Sequence, residues 1–272
     1  MEIKRIFLTN EENGAFVDAY VAEATPEFTR KAILIVPGGA YKHVAPCESE
    51  PVAQAFMPYG YNAFVLHYTC GKDSGKPFPA HLIEATLAIK HIKDNAEEYG
   101  IDPEELFVIG FSAGGHLAAS TGILWKRPDV LAAADVPHGY ARPKGIMLMY
   151  PMISSDYSNC KTYTNAWGTL FCCDEPTPEQ LCSASVEKHV DAESSPAFIM
   201  HTFNDPTVDV RNMMALGMAY GEAGVPFEMH ILPDGPHGLS VANGITAAGR
   251  PRYINPAFGE WVRLCTAWAE KV

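Results

Sequence analysis

Gly110-Phe111-Ser112-Ala113-Gly114-Gly115 is the stretch that decides how this chain folds. It has the form G-x-S-x-G, and its flanks fit a strand-to-helix turn. Leu106-Phe107-Val108-Ile109 before it is a short apolar run that reads as a buried strand, and the small and apolar residues of His116–Leu124 after it suit a packed helix. A sharp turn with glycines where side chains would clash lifts one serine oxygen clear of the sheet. It also aims the N–H of Ala113 and the positive end of the helix at whatever that oxygen attacks.

Outward from this turn the chain alternates strand and helix. Two extended segments open it, near Lys4–Leu8 and Ala15–Glu23. Ala32–Val36 is an unbroken apolar run, as expected for a strand covered on both faces, and ends in Pro37-Gly38-Gly39. Further strands are expected at Asn62–Tyr68, Gly145–Tyr150, Ala197–Phe203 and Phe227–Leu232. Helices are expected near Glu50–Tyr59, over Phe78–Tyr99, over Val208–Ala223 and over Pro256–Glu270, with Asp102-Pro103 as a break before the elbow strand. This rhythm predicts an α/β fold built on a doubly wound, mostly parallel sheet flanked by helices. Only 154–195 departs from it; Pro176-Thr177-Pro178 lies there, and a short helix is expected at Pro178–Val186.

A serine hydroxyl needs a base within hydrogen-bond reach, and the base needs a group to fix its tautomer. Two late loops supply both residue types. Asn204-Asp205-Pro206 follows one strand and Pro236-His237-Gly238 another, both past carboxyl ends of strands, where sites of open parallel sheets collect. His237 is therefore the expected base and Asp205 its orienting acid. Asp209 better suits the first turn of the next helix, and Asp234 the turn at Pro233–Pro236. His201 and His230 lie within strands and His116 within the elbow helix, where packing roles are expected; His43 lies near the glycine loop, within reach of a substrate. Negative charge building on a carbonyl oxygen needs amides already aimed at it. The expected donors are Ala113 and, in Pro37-Gly38-Gly39-Ala40-Tyr41, the amides of Gly39 and Ala40. Neither glycine loop fits a dinucleotide or P-loop pattern.

Bulk properties narrow the field. With 47% apolar and 19% charged residues the 272-residue chain is globular rather than disordered. Its net charge of -12 carries no Lys/Arg cluster, which excludes nucleic acid and anionic membrane as expected partners. The opening residues lack a long apolar segment, and no run is long enough to span a bilayer, so a cytoplasmic location is expected. Seven cysteines without C-x-x-C spacing read as free thiols in a reducing compartment, with no metal site.

The segments Pro37–Tyr41, Gly110–Ala118, His201–Val208 and Pro236–Gly238 together resemble the α/β-hydrolase superfamily, and more narrowly its esterase branch of bacterial acetyl-xylan and feruloyl-type carbohydrate esterases. Pro37 stands where many of those proteins have histidine, and Ala40 where they have a further glycine. The resemblance implies one α/β-hydrolase domain over 1–272 with an insertion at about 154–195, a triad of Ser112, Asp205 and His237, and no metal or organic cofactor. The sequence offers no large apolar cap of the kind that long acyl chains need, so the expected substrate is a small-molecule ester with a short acyl group, on sugars such as xylan-derived oligosaccharides. Tyr41 and Trp167 are candidate substrate contacts; Tyr157, Tyr163, Trp167 and Phe171 could form a lid or the small core of the insertion. A homo-oligomer is compatible with the sequence. Amide or peptide hydrolysis by the same triad, and a non-catalytic binding protein on the same fold, are the alternatives.

Overall fold

The computed structural model describes residues 2–9, 14–23, 25, 27–157 and 165–272. Eight strands form one sheet: β1 (Glu2–Phe7), β2 (Phe16–Val21), β3 (Arg30–Val36), β4 (Tyr61–His67), β5 (Ile101–Phe111), β6 (Gly145–Met149), β7 (Ala197–Thr202) and β8 (Phe227–Leu232). Their order across the sheet is β1-β2-β4-β3-β5-β6-β7-β8. The β1–β2 and β2–β4 pairs are antiparallel, and every other pair is parallel.

The apolar runs of the central strands are continuous because both faces are covered. In β5, Leu106 and Val108 pack on one side with the helices Ala80–Asp94, Ala113–Ile123 and Arg211–Ala223. Phe107, Ile109 and Phe111 face the other layer, formed by Glu50–Phe56 and Trp261–Ala269. The same alternation runs through β3, β6 and β7, as the two-residue period of a strand requires. Fold class and strand positions thus follow the expectation from sequence.

Several expected elements differ in detail: the helix expected near Glu50–Tyr59 is Glu50–Phe56, and the one expected over Val208–Ala223 is Arg211–Ala223. The long helix expected over Phe78–Tyr99 is Ala80–Asp94 followed by a single turn, Ala96–Tyr99. At the junction Asn95 leaves the helical region, with φ −110° and ψ 22°, and both its amide and its side chain donate to the carbonyl of His91, at 3.2 and 2.8 Å. The last helix likewise divides into Pro256–Gly259 and Trp261–Ala269. Asp102-Pro103 does not end a strand; β5 begins at Ile101, and 102–105 bulge between Ile101, paired to Arg30, and Leu106, paired to Ala32. Within the insertion, Pro178–Ala184 is a helix closed at its start by a Thr177–Gln180 capping box, preceded by the short helix Ala166–Leu170. Tyr163 lies outside the described residues.

Candidate active site

Four loops at the carboxyl ends of β3, β5, β7 and β8 meet above the sheet. Ser112 directly follows β5 and has φ 53° and ψ −118°, a conformation that side-chain-bearing residues rarely adopt. The flanking glycines make this turn sterically feasible. A Cβ on Gly110 would lie 2.1 Å from the Gly114 carbonyl oxygen, and one on Gly114 would lie 2.1 Å from that of Val36. The Ser112 amide donates to the Met149 carbonyl (3.0 Å), and its carbonyl accepts from Met152 (3.0 Å), which ties the elbow to the segment after β6.

The hydroxyl of Ser112 lies 2.7 Å from Nε2 of His237, and Nδ1 of His237 lies 2.7 Å from Oδ2 of Asp205. The other oxygen of Asp205 accepts from the amides of Thr207 (2.7 Å) and Val208 (3.0 Å), so the acid is held at both ends. Its side chain is 1% exposed and that of His237 is 15% exposed. Burial pushes the Asp205 carboxyl up, but its hydrogen bond with His237, the nearby imidazoles and the backbone donors outweigh that, leaving it below the usual aspartate value. An ionised, acceptor-only Asp205 fixes the His237 proton on Nδ1 and leaves the Nε2 lone pair facing the serine hydroxyl.

The glycine loop turns back on itself beside this chain. Gly39, Ala40 and Tyr41 have φ of 126°, 55° and 60° in succession. Gly39 has no alternative, since a Cβ there would meet the His43 carbonyl oxygen at 2.0 Å. Among the described residues the amides of Gly39 and Ala40 donate to no carbonyl or side chain within the chain. Ala113, as the first helical residue, also has an amide without an intrahelical acceptor. The Gly38 amide, by contrast, is used internally: it donates 2.7 Å to the carboxylate of Glu48.

Two expected substrate contacts lie elsewhere. Tyr41 is fully buried. Its left-handed backbone turns the ring beneath the loop, where the hydroxyl lies 2.6 Å from Nδ1 of His116. Trp167 is 6% exposed, with its ring 5.4 Å from that of His116 in an edge-on contact. Phe171 packs with Phe78, while the half-buried ring of Tyr157 lies under the Arg211 guanidinium. Trp167 and Phe171 of the insertion therefore pack inward, while Tyr157 stays half-buried near the surface. His116 is the hub of that packing. Its Nε2 lies 2.6 Å from the Ala184 carbonyl, and burial lowers its pKa to about 4, so the ring is neutral. His201 is buried within β7, and His230 pairs with Glu228. Asp209 accepts from the Arg211 amide at the helix start, in line with its expected place in the first turn, whereas the side chain of Asp234, expected to shape the turn at Pro233–Pro236, accepts from Asn204 in the neighbouring loop. His43 is exposed beside the glycine loop.

Glu48 and Tyr150 escaped the reading of the sequence. Glu48 stands in an acidic helix start, which ordinarily faces water, and Tyr150 looks like the end of a strand. Nothing local shows that the two side chains meet, 2.7 Å apart, in the interior.

Comparison with known proteins agrees with this architecture. The BD-FAE family model matches residues 17–219. Endo-1,4-beta-xylanase B of Butyrivibrio fibrisolvens is 34% identical over 79% of this chain and 33% of its own length. The acetylxylan esterase of Xylanibacter ruminicola is 26% identical over 77% of this chain and 41% of its own. The chain thus spans between a third and a half of these curated relatives. A crystal structure of an acetyl ester-xyloside bifunctional hydrolase from Caldicellulosiruptor lactoaceticus superposes with a TM-score of 0.81 at 30% identity, covering 98% of this chain and 96% of that one. Among the described residues no helix is long and apolar enough to cross a membrane. The chain belongs to the BD-FAE family and is a carbohydrate-esterase-like α/β-hydrolase.

Proposed function

We propose that the protein is a serine carboxylesterase that removes short acyl groups of the acetyl type, by way of an acyl-enzyme, from carbohydrate such as xylan-derived oligosaccharides. One observation carries the chemistry: the connected chain Ser112 Oγ, His237 Nε2, His237 Nδ1 and Asp205 Oδ2, with 2.7 Å at each hydrogen bond. Ser112 attacks the ester carbonyl while His237 takes its proton, and Asp205 stabilises the imidazolium that forms. The amides of Gly39, Ala40 and Ala113 receive the developing oxyanion. Collapse expels the alcohol, protonated by His237, and leaves the acyl group on Ser112. Water then repeats the cycle from the other side, with His237 again taking and returning the proton.

The names of the relatives support a carbohydrate substrate. The packing of the insertion supports a short acyl group. None of the exposed large hydrophobic side chains among the described residues lies in 165–195, so that segment offers no apolar platform for a long chain.

The test compares p-nitrophenyl acetate, longer p-nitrophenyl esters, acetylated xylo-oligosaccharides and an aryl formamide. The expected result is a kcat/KM that falls about tenfold or more from acetate to long chains, release of acetate from the sugars, and a loss on the order of 10⁴-fold or more in kcat for Ser112→Ala. Preference for long chains or for the formamide, or turnover surviving in Ser112→Ala, would reject the proposal.

A further inference from the structure

We infer that Glu48 is a positioning residue of the active site, its carboxylate locking the oxyanion loop and the His237 loop into one register. The inference rests on the catalytic reading above and names a group that the reaction scheme does not use.

Glu48 is 3% exposed, an unusual place for a carboxylate with no cation bonded to it among the described residues. Both of its oxygens are engaged. Oε2 accepts from the amide of Gly38 at 2.7 Å, and Oε1 accepts from the hydroxyl of Tyr150 at 2.7 Å. The Tyr150 oxygen in turn accepts from the amide of Ser240 at 2.9 Å. Since the Ser240 amide can only donate, the tyrosine proton is free to point at Glu48. The chain of bonds therefore has one direction: Ser240 N–H to Tyr150 O–H to Glu48, met from the other end by Gly38 N–H. A group placed between two donors must accept at both ends. A carboxylate does so, whereas an amide of the same shape would face one donor with its own NH₂.

Each contact of this chain adjoins a catalytic element. Gly38 directly precedes Gly39 and Ala40, the proposed oxyanion donors. The preceding carbonyl, of Pro37, accepts from Tyr68 at 2.9 Å, so the peptide that aims the loop is gripped on both sides. The ring of Tyr150 stands edge-on to the imidazole of His237 with centroids 5.0 Å apart. Ser240 lies three residues past His237, and its hydroxyl donates 2.6 Å to the carbonyl of Cys47, the neighbour of Glu48. Tyr150 and Ser240 both hold left-handed backbones, with φ of 38° and 51°. Unfavourable conformations of this kind persist where surrounding bonds over-determine them. A single buried acid thus sets the distance between the base and the oxyanion donors from behind.

Donors aimed at an oxyanion act in the transition state and hardly at all on the bound ester, so their misplacement lowers kcat and spares KM. The test uses the full chain with Glu48→Gln and Tyr150→Phe. It measures kcat and KM on p-nitrophenyl acetate, thermal midpoints, and the rate at which a fluorophosphonate labels Ser112. We expect kcat and the labelling rate to fall about 10- to 100-fold in each folded variant, with KM within about threefold of wild type. Wild-type kcat in both variants, or a raised KM at unchanged kcat, would overturn the inference. Loss of the folded state in both would overturn it too, in favour of a purely structural acid. A wild type that takes no fluorophosphonate at Ser112 would instead overturn the catalytic reading beneath it. A labelled wild type with unimpaired variants would sink the inference alone.

Discussion

Replacing Ser112 by glycine is expected to give a protein more stable than the alanine variant, the reverse of what glycine does at ordinary positions. Both substitutions remove the hydroxyl and its 2.7 Å bond to His237, so that loss cancels between them. What remains is the backbone at φ 53° and ψ −118°, which a Cβ makes unfavourable. Conformations of this class cost on the order of 1–3 kcal/mol for a side-chain-bearing residue. Glycine avoids that cost but raises the entropy lost on folding by roughly 0.5–1 kcal/mol. The difference favours glycine by about 1 kcal/mol. With an unfolding entropy of about 2.1 cal/mol/K per residue, the 272 residues give about 0.6 kcal/mol/K, so the thermal midpoint rises by roughly 2 °C. Urea unfolding of the two variants side by side reads the free energy directly, and calorimetry reads the midpoint. An alanine variant as stable as the glycine variant, or more so, would refute the idea that the elbow stores strain to present its hydroxyl.

Other perturbations test separate parts of the site. Asp205→Asn should keep the fold yet lower kcat on the order of 10³- to 10⁴-fold, because the amide no longer fixes the His237 tautomer; steady-state kinetics on p-nitrophenyl acetate checks it, and a loss under tenfold would contradict it. Gly114→Ala should destabilise the protein by about 3 kcal/mol or more, since its Cβ would lie 2.1 Å from the Val36 carbonyl oxygen; an unchanged urea midpoint would contradict the close packing of helix on strand. Acid should unfold the protein well above the range of its carboxylates. His81, His116 and His201 are each lowered by burial from 6.5 to about 4, so between those values the unfolded chain takes up protons that the folded one refuses. Their contribution is whole above pH 6.5 and is lost progressively toward pH 4, on the order of 3 kcal/mol per ring. The lowered Asp205 acts in the same direction and the raised Glu48 opposes it. Urea midpoints that stay level from pH 7 to pH 4.5 would contradict burial of these rings.

Much of this architecture was legible in the chain because its signals are local. The apolar runs of β3 and β5, and the glycines bracketing Ser112, state in a few residues what the backbone must do. Asp205 and His237 were legible because each sits in a loop directly after a strand, where a parallel sheet gathers its ends. The remainder depends on long-range burial. Glu48 and Tyr150 lie 102 positions apart in sequence, and no helical or strand period links them. Tyr41 read as a loop aromatic open to substrate because its positive φ, which turns the ring inward, leaves no mark on residue type. For Trp167 the sequence left lid and core both open, because its partner, His116, belongs to a helix far earlier in the chain. The split at Asn95 is a change of backbone angles at one residue, which apolar spacing does not register.

Peptide mass spectrometry after fluorophosphonate treatment tests the central claim most directly, since one adduct reports nucleophile, base and oxyanion donors together. The expected result is a single adduct on Ser112 in the wild type, formed far more slowly in His237→Ala. No adduct, an adduct on another serine, or undiminished labelling of Ser112 without His237 would contradict it.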